Sequence, residues 1–170
     1  QTMETPIGAC LVYMNQQAIK ARNSGMLPDL IKRYSAPVPR YTSYPTAPHF
    51  SPAVGAQMYE SWLRALPSGS KLSLYLHFPF CHQLCWYCGC NTKAIRRYEP
   101  VETYVVALLK EIARISSLLG AQHRVTHIHW GGGSPNILSP EDIAQVGTAL
   151  RTAFDIAPDA EYAVEIDPRS

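Results

Sequence analysis

From residue 72 onward the hydrophobic period of this chain switches between 2 and about 3.6, and that alternation limits the fold more than any other feature. Over 72–78, Leu72, Leu74, Leu76 and Phe78 fall on one side and Ser73, Tyr75 and His77 on the other, which predicts a strand. From about residue 100, Val101, Val105, Leu108, Leu109, Ile112, Ile115 and Leu119 recur at helical steps as far as Gly120. A second strand over 125–130 sets Thr126, Ile128 and Trp130 against His127 and His129, then stops at Gly131-Gly132-Gly133. Ser139 is expected to cap the next helix, with Pro140 at its first position, Asp142 three beyond the cap, and Ile143, Val146, Leu150 and Phe154 along its stripe. A third strand over 161–166 puts Glu161, Ala163 and Glu165 opposite Tyr162, Val164 and Ile166.

Strands and helices alternating at this spacing predict consecutive right-handed βαβ units and a parallel sheet. A parallel sheet covered on both faces is apolar on both. Tyr75, His77, His127, His129, Glu161 and Glu165 therefore imply a polar inner side, as in a partial barrel holding a ligand. The competing reading is that these are satisfied core groups, or that the sheet is open and wet. Ahead of the sheet, seven of the fourteen prolines lie in residues 1–52, with little periodicity beyond a short helical stretch over 28–34. Another short helix is expected over 53–65, and Pro67-Ser68-Gly69 then turns the chain into the first strand. Two parts are expected: an extended arm with short helices over 1–70, and three βα units over 71–170.

A chain of 170 residues can form one domain with a core, and its net charge of +2 comes from scattered Lys and Arg that make no basic stripe for nucleic acid. The apolar run over 72–80 is broken by polar residues and is far shorter than the roughly 20 residues that cross a bilayer. Residues 1–13 lack a basic segment followed by an apolar one, although the chain does not begin with Met. Neither a membrane anchor nor a secretory leader is expected, and a cytoplasmic location is.

Four of the five cysteines fall in Cys81-His82-Gln83-Leu84-Cys85-Trp86-Tyr87-Cys88-Gly89-Cys90, directly after the first strand. Such a cluster points to metal or redox chemistry more than to a disulfide framework. Cys10 stands apart and reads as a small core residue or a free thiol. In a βα array ligands gather at the carboxyl ends of the strands, where this loop must lie. Thiolates are the usual ligands of iron-sulfur clusters, and close spacing lets one loop wrap a cube corner by corner. Three cysteines on a four-iron cube would leave one iron open for a small bidentate molecule. The alternatives are a structural zinc site on all four cysteines, or a redox disulfide. Zinc sites usually pair two Cys-x2-Cys knuckles, and here only Cys85 and Cys88 are so spaced.

With Cys81, Cys85 and Cys88 spaced Cys-x3-Cys-x2-Cys after a first barrel strand, the chain resembles the radical S-adenosylmethionine superfamily. Longer strings narrow this: Tyr75-Leu76-His77-Phe78-Pro79-Phe80 ahead of the cysteines, Pro39-Arg40-Tyr41-Thr42-Ser43-Tyr44-Pro45-Thr46-Ala47, His129-Trp130-Gly131-Gly132-Gly133-Ser134-Pro135 and Glu165-Ile166-Asp167-Pro168-Arg169. Together they are similar to the oxygen-independent coproporphyrinogen III oxidases, from about residue 31 to residue 170.

The resemblance implies an α/β fold, the N-terminal half of a partial (βα)6 radical-SAM barrel behind an extended N-terminal arm. It implies Cys81, Cys85 and Cys88 as ligands of a [4Fe-4S] cluster and two molecules of S-adenosylmethionine beside it. Cys90 matches the family's fourth, non-ligand cysteine, which the related haem chaperones lack, and joins Tyr75 and Arg40 in the implied catalytic set. Tyr75 would hydrogen-bond the cluster-bound cofactor. The glycine turn would let that cofactor's amino group approach closely, and Glu165 would take its ribose hydroxyls. Tyr87, Gly132, Gly133 and Ser134 match the surroundings of the second molecule; core packing is the competing reading for Tyr87. Ser134 replaces the usual threonine, and Trp86-Tyr87 the more common Tyr-Phe. Arg40 would meet a substrate propionate, since a guanidinium pairs bidentately with a carboxylate; a surface salt bridge is the competing reading.

The implied reaction passes one electron from the cluster to the sulfonium, releases a 5'-deoxyadenosyl radical and abstracts hydrogen from the β-carbon of a propionate. Loss of carbon dioxide and an electron then gives a vinyl group, and two rounds convert coproporphyrinogen III to protoporphyrinogen IX. The implied partners are that substrate and an electron donor such as a flavodoxin or ferredoxin, with a monomer as the complete enzyme. Only three strands are legible, and a barrel of this kind takes about twice as many, so a truncated product or fragment is expected. The alternative is a non-catalytic cluster- or haem-binding relative.

Overall fold

The computed structural model describes residues 10–14, 49–86, 88–120 and 122–169. Arg40, Tyr87, the 39–47 motif and the helix expected over 28–34 lie outside them. The described residues fall into two units, 10–14 with 62–169, and 49–61. Helix α1 (Ala56–Arg64) starts in the second unit; it buries Leu63 and exposes Met58 and Trp62.

The first unit holds a four-stranded sheet in the order β1 (Cys10–Met14), β2 (Lys71–Phe78), β5 (Arg124–Gly132), β6 (Asp155–Val164). β2, β5 and β6 are parallel, joined by helices α2 (Glu99–Leu119) and α3 (Pro140–Ala153). This is the βαβαβ order expected, because parallel neighbours need a long crossover. β1 was not legible as a strand. It pairs antiparallel with β2, Cys10 opposite Leu76 and Met14 opposite Leu72, and supplies the edge that the three parallel strands lack.

The core lies between the sheet and the two helices. Leu72, Leu74, Leu76 and Phe78 alternate as buried residues along β2, with Val125, Ile128 and Trp130 on β5. Val101, Val105, Leu108, Ile112, Ile115 and Leu119 close over them from α2. Each fully buried aliphatic side chain contributes about 1.5–3 kcal/mol. Tyr104 joins the α2 stripe, which the apolar pattern missed. Its ring meets Phe78 and Phe80 edge-on, and its hydroxyl donates to the His77 carbonyl. Ser139 caps α3 as expected, its Oγ accepting from Asp142 N at 3.1 Å.

Two departures from the simple alternation occur. The register steps from Leu72 opposite Val125 to Ser73 opposite His127, so Thr126 is an extra residue. Val125, and not Thr126, therefore shares the buried side with Ile128 and Trp130. β6 starts earlier than expected: Ile156 pairs with Val125 and Glu161 with His127, and residues 157–160 bulge between them. Pro158 sits in that bulge, where its missing N–H costs the ladder nothing. Ile143, expected in the α3 stripe, is exposed, as are Tyr162, Val164 and Ile166 beside it in the pattern.

Candidate functional site

β2 delivers the chain to Cys81. The loop that follows is closed at its base by a short parallel pair, β3 (Phe80–Cys81) with β4 (Lys93–Ala94). Lys93 N donates to Pro79 O at 2.9 Å and Ile95 N to Cys81 O at 2.9 Å. Within the loop, Cys88 N donates to Cys85 O at 3.1 Å. Cys81, Cys85, Cys88 and Cys90 are all free thiols, the first two half-buried and the last two exposed. Cys81 Sγ lies 3.4 Å from Thr92 Oγ1.

The polar side of β2 reaches the same place. His77 Nε2 faces the Asn91 carbonyl at 2.9 Å, so that nitrogen carries the proton. The other ring nitrogen, Nδ1, lies 3.0 Å from the Tyr75 hydroxyl. His77 thereby ties the end of the cysteine loop to the strand and orients Tyr75. The Tyr75 ring is 5.5 Å from that of His129, whose Nε2 is 3.2 Å from Glu165 Oε1. The second carboxylate oxygen of Glu165 accepts from Gly132 N at 3.0 Å. Glu165 follows β6 directly and extends its pairing, its amide donating to Trp130 O at 2.9 Å. Tyr75, His77, His129 and Glu165 thus form one group. The other two of the polar set pair with each other lower on the sheet, His127 with Glu161 at 3.8 Å.

The glycines are required by space. A Cβ on Gly131 would fall 2.9 Å from Tyr75 Cε2, and one on Gly132 2.6 Å from the His77 ring. Gly132 also has φ of +112°, a conformation that side chains oppose. Gly133 N donates to Phe78 O at 2.7 Å and Ser134 N to Phe80 O at 2.9 Å. The Ser134 side chain is buried, and its hydroxyl donates to Asn136 Oδ1 at 3.0 Å, in the 3-10 turn Pro135–Ile137.

Beyond β6, Arg169 reaches back to the cysteine loop. Arg169 Nη2 lies 3.4 Å from Cys85 Sγ and 3.4 Å from Gln83 O. Nothing in the sequence assigned Arg169 a role, although a charged pair two residues apart after a strand end is a visible signal. Partial desolvation, then the adjoining Cys88 sulfur, push the Cys90 thiol above its ordinary value. A raised thiol is the less ready thiolate.

Among the described residues no three His, Cys, Asp or Glu side chains gather as they would around a single metal ion. The donor set instead suits a larger group. Four free sulfurs on one loop, with a cation at Cys85 and a hydroxyl at Cys81, are the soft, thiolate-forming groups that an iron-sulfur cluster takes. The residues present therefore fit such a cluster.

The model of the radical SAM superfamily matches residues 75–168, the span that holds the cysteine loop, the glycine turn and Glu165. The chain belongs to the radical SAM superfamily. Membership implies a [4Fe-4S] cluster and S-adenosylmethionine. The chain is 53% identical over 133 residues to the oxygen-independent coproporphyrinogen III oxidase of Bradyrhizobium diazoefficiens, covering 78% of this chain and 30% of that protein. With the enzyme of the same name from Escherichia coli it shares 42% identity over 140 residues, 82% of this chain and 30% of the relative. The solved structure of coproporphyrinogen III oxidase from Escherichia coli, described as a radical SAM enzyme, superposes with a TM-score of 0.70 at 41% identity. That match covers 76% of this chain and 30% of the solved one, so the fold is that of part of a radical SAM enzyme. The chain thus spans about 30% of the length of these relatives. Among the described residues no helix is long and apolar enough to cross a membrane.

Proposed function

We propose that this chain carries the cluster-binding part of an oxygen-independent coproporphyrinogen III oxidase, converting two propionates of coproporphyrinogen III to vinyl groups. The observation that carries the reading is the 53% identity to an oxidase of that name over 133 residues. When bound, the cluster and S-adenosylmethionine supply one-electron radical chemistry. The residues of the chain hold and orient. Cys81, Cys85 and Cys88 are the cluster ligands, on a loop that β3 and β4 close at its base. Glu165, already oriented by Gly132 N and His129, takes the ribose hydroxyls of the cofactor. The amides of Gly132, Gly133 and Ser134 all donate inside the protein. We assign the ammonium group of the cofactor to this turn, where its partner would be a backbone carbonyl.

Tyr75 contacts the cofactor with a hydroxyl held 3.0 Å from His77 Nδ1. A second S-adenosylmethionine is assigned to Tyr87, Gly132, Gly133 and Ser134, with Ser134 acting through its backbone because its side chain is buried. Cys90 is kept as a non-ligand thiol in the catalytic set, and Arg40 as the contact to a substrate propionate. A flavodoxin or ferredoxin supplies electrons, and the enzyme works as a cytoplasmic monomer whose arm gives way to the βα units at about residue 70.

Anaerobic reconstitution with iron and sulfide, followed by EPR with and without S-adenosylmethionine, tests the cluster; incubation with coproporphyrinogen III tests the reaction. A cluster signal that changes on cofactor addition, with vinyl product, is expected. No cluster, or no response to the cofactor, refutes the radical reading. A responsive cluster without product refutes the oxidase and favours a non-catalytic relative.

A further inference from the structure

We propose that Arg169 is a positioning residue for the cluster, fastening the ligand loop at Cys85 and raising the potential at which the cluster accepts its electron. The assignment rests on the reading that Cys85 is a cluster ligand. Arg169 Nη2 stands 3.4 Å from Cys85 Sγ and 3.4 Å from the Gln83 carbonyl, so the hydrogen of that nitrogen not given to Asp167 is shared between the sulfur and the loop backbone. The pair with Asp167 fixes where that nitrogen lies. Nε lies 2.9 Å from Asp167 Oδ1 and Nη2 2.7 Å from Oδ2, a two-pronged pair. Asp167 is pinned in turn: its amide donates to Asn136 Oδ1 at 3.3 Å, and Asn136 Nδ2 reaches its carbonyl at 3.5 Å. The Arg169 amide also donates to Asp167 Oδ1, at 3.0 Å. A chain of contacts thus runs from the turn after β5, through the end of β6, to the sulfur of one cysteine.

The physical consequence follows from charge. Adding an electron makes a thiolate-ligated cluster more negative, so a fixed cation at one of its sulfurs favours the reduced form. Cys81 meets a neutral hydroxyl, that of Thr92, whereas Cys85 meets a full charge. The Arg169 side chain is 46% exposed, so solvent screens part of this effect. Removing the charge should lower the reduced-to-oxidised ratio at fixed poise by about three- to tenfold, a fall of about 30–60 mV at 59 mV per tenfold for one electron. Lysine keeps the charge but loses the planar fork that meets Asp167 and the loop together.

The experiment compares wild type, Arg169→Met and Arg169→Lys after anaerobic loading, reading iron per chain and the midpoint potential by EPR-monitored titration. We expect wild-type iron content in both variants, the stated fall in Arg169→Met, and less than half of that fall in Arg169→Lys. An unchanged potential in Arg169→Met, or equal falls in the two variants, overturns the assignment. Should Arg169→Met fail to load, recovery of iron content in Arg169→Lys supports it and continued loss overturns it. A wild-type protein that takes up no cluster removes the underlying reading and this inference together, whereas a loaded wild type with indifferent variants removes only the role of Arg169.

Discussion

Replacing Gly133 with alanine tests how the glycine turn is built. A Cβ at this position would lie 2.5 Å from Phe80 O, 2.5 Å from Thr92 Oγ1 and 2.9 Å from Phe78 O. Two of the three atoms are backbone, so the clash cannot be relieved by turning a side chain. The same two carbonyls accept the hydrogen bonds of Ser134 N at 2.9 Å and Gly133 N at 2.7 Å, and any shift that admits the methyl group stretches both. Overpacking costs about 1–3 kcal/mol, and weakening two backbone hydrogen bonds adds about 1–2 kcal/mol. Gly133→Ala should therefore destabilise by about 2–5 kcal/mol. Gly55 is the control: nothing lies within 4 Å of its Cβ position and its φ is not positive, so alanine there should change stability by less than about 1 kcal/mol. Urea titrations followed by far-UV circular dichroism measure both. The displaced Phe80 adjoins Cys81, so Gly133→Ala should also reduce the iron retained after reconstitution. A Gly133→Ala protein within about 0.5 kcal/mol of wild type would refute the argument that close packing fixes this glycine.

Other outcomes follow from the same geometry. Cys85→Ser should abolish cluster loading while Cys90→Ser leaves iron per chain near wild type, and equal losses in the two variants would make Cys90 a ligand. Leu76, fully buried in β2, should cost about 2–5 kcal/mol when cut to alanine, against less than about 0.5 kcal/mol for exposed Val106 on α2, as measured by chemical denaturation. Asp167 is held at about 2, below the ordinary 3.8, chiefly because the Arg169 side chain donates to it. A lowered carboxyl value favours the folded loop above the ordinary value, and that contribution fades as pH falls from about 4 through about 2. Carbon-detected NMR should place the Asp167 midpoint near 2, and a midpoint near 3.8 would show that the pair does not hold in solution.

The parallel strands and crossing helices were legible because their side chains sit on one apolar side, and a period of 2 or of about 3.6 records that directly in sequence. Ser139 was legible for a local reason, since a cap bonds an amide three residues away. Tyr104 was missed in the α2 stripe because its polar tip finds a carbonyl on β2. Thr126 was assigned the wrong side because one extra residue in a ladder reverses the parity, and only the pairing partner reveals it. β1 was missed because its apolar run of five residues looks no different from a buried loop until β2 lies beside it.

At the site the same division holds. The cysteine spacing, the three glycines and Glu165 could be read from the sequence, since each rests on residue type and near neighbours. Tertiary structure decided what these residues do to one another: Glu165 is oriented by an amide and a ring from β5, and His77 holds the loop through Asn91. Arg169 meets Cys85 across 84 positions. A hydrogen bond between distant positions leaves no period and no spacing in the sequence, so its two ends become partners only once the sheet has brought the ends of β2, β5 and β6 together.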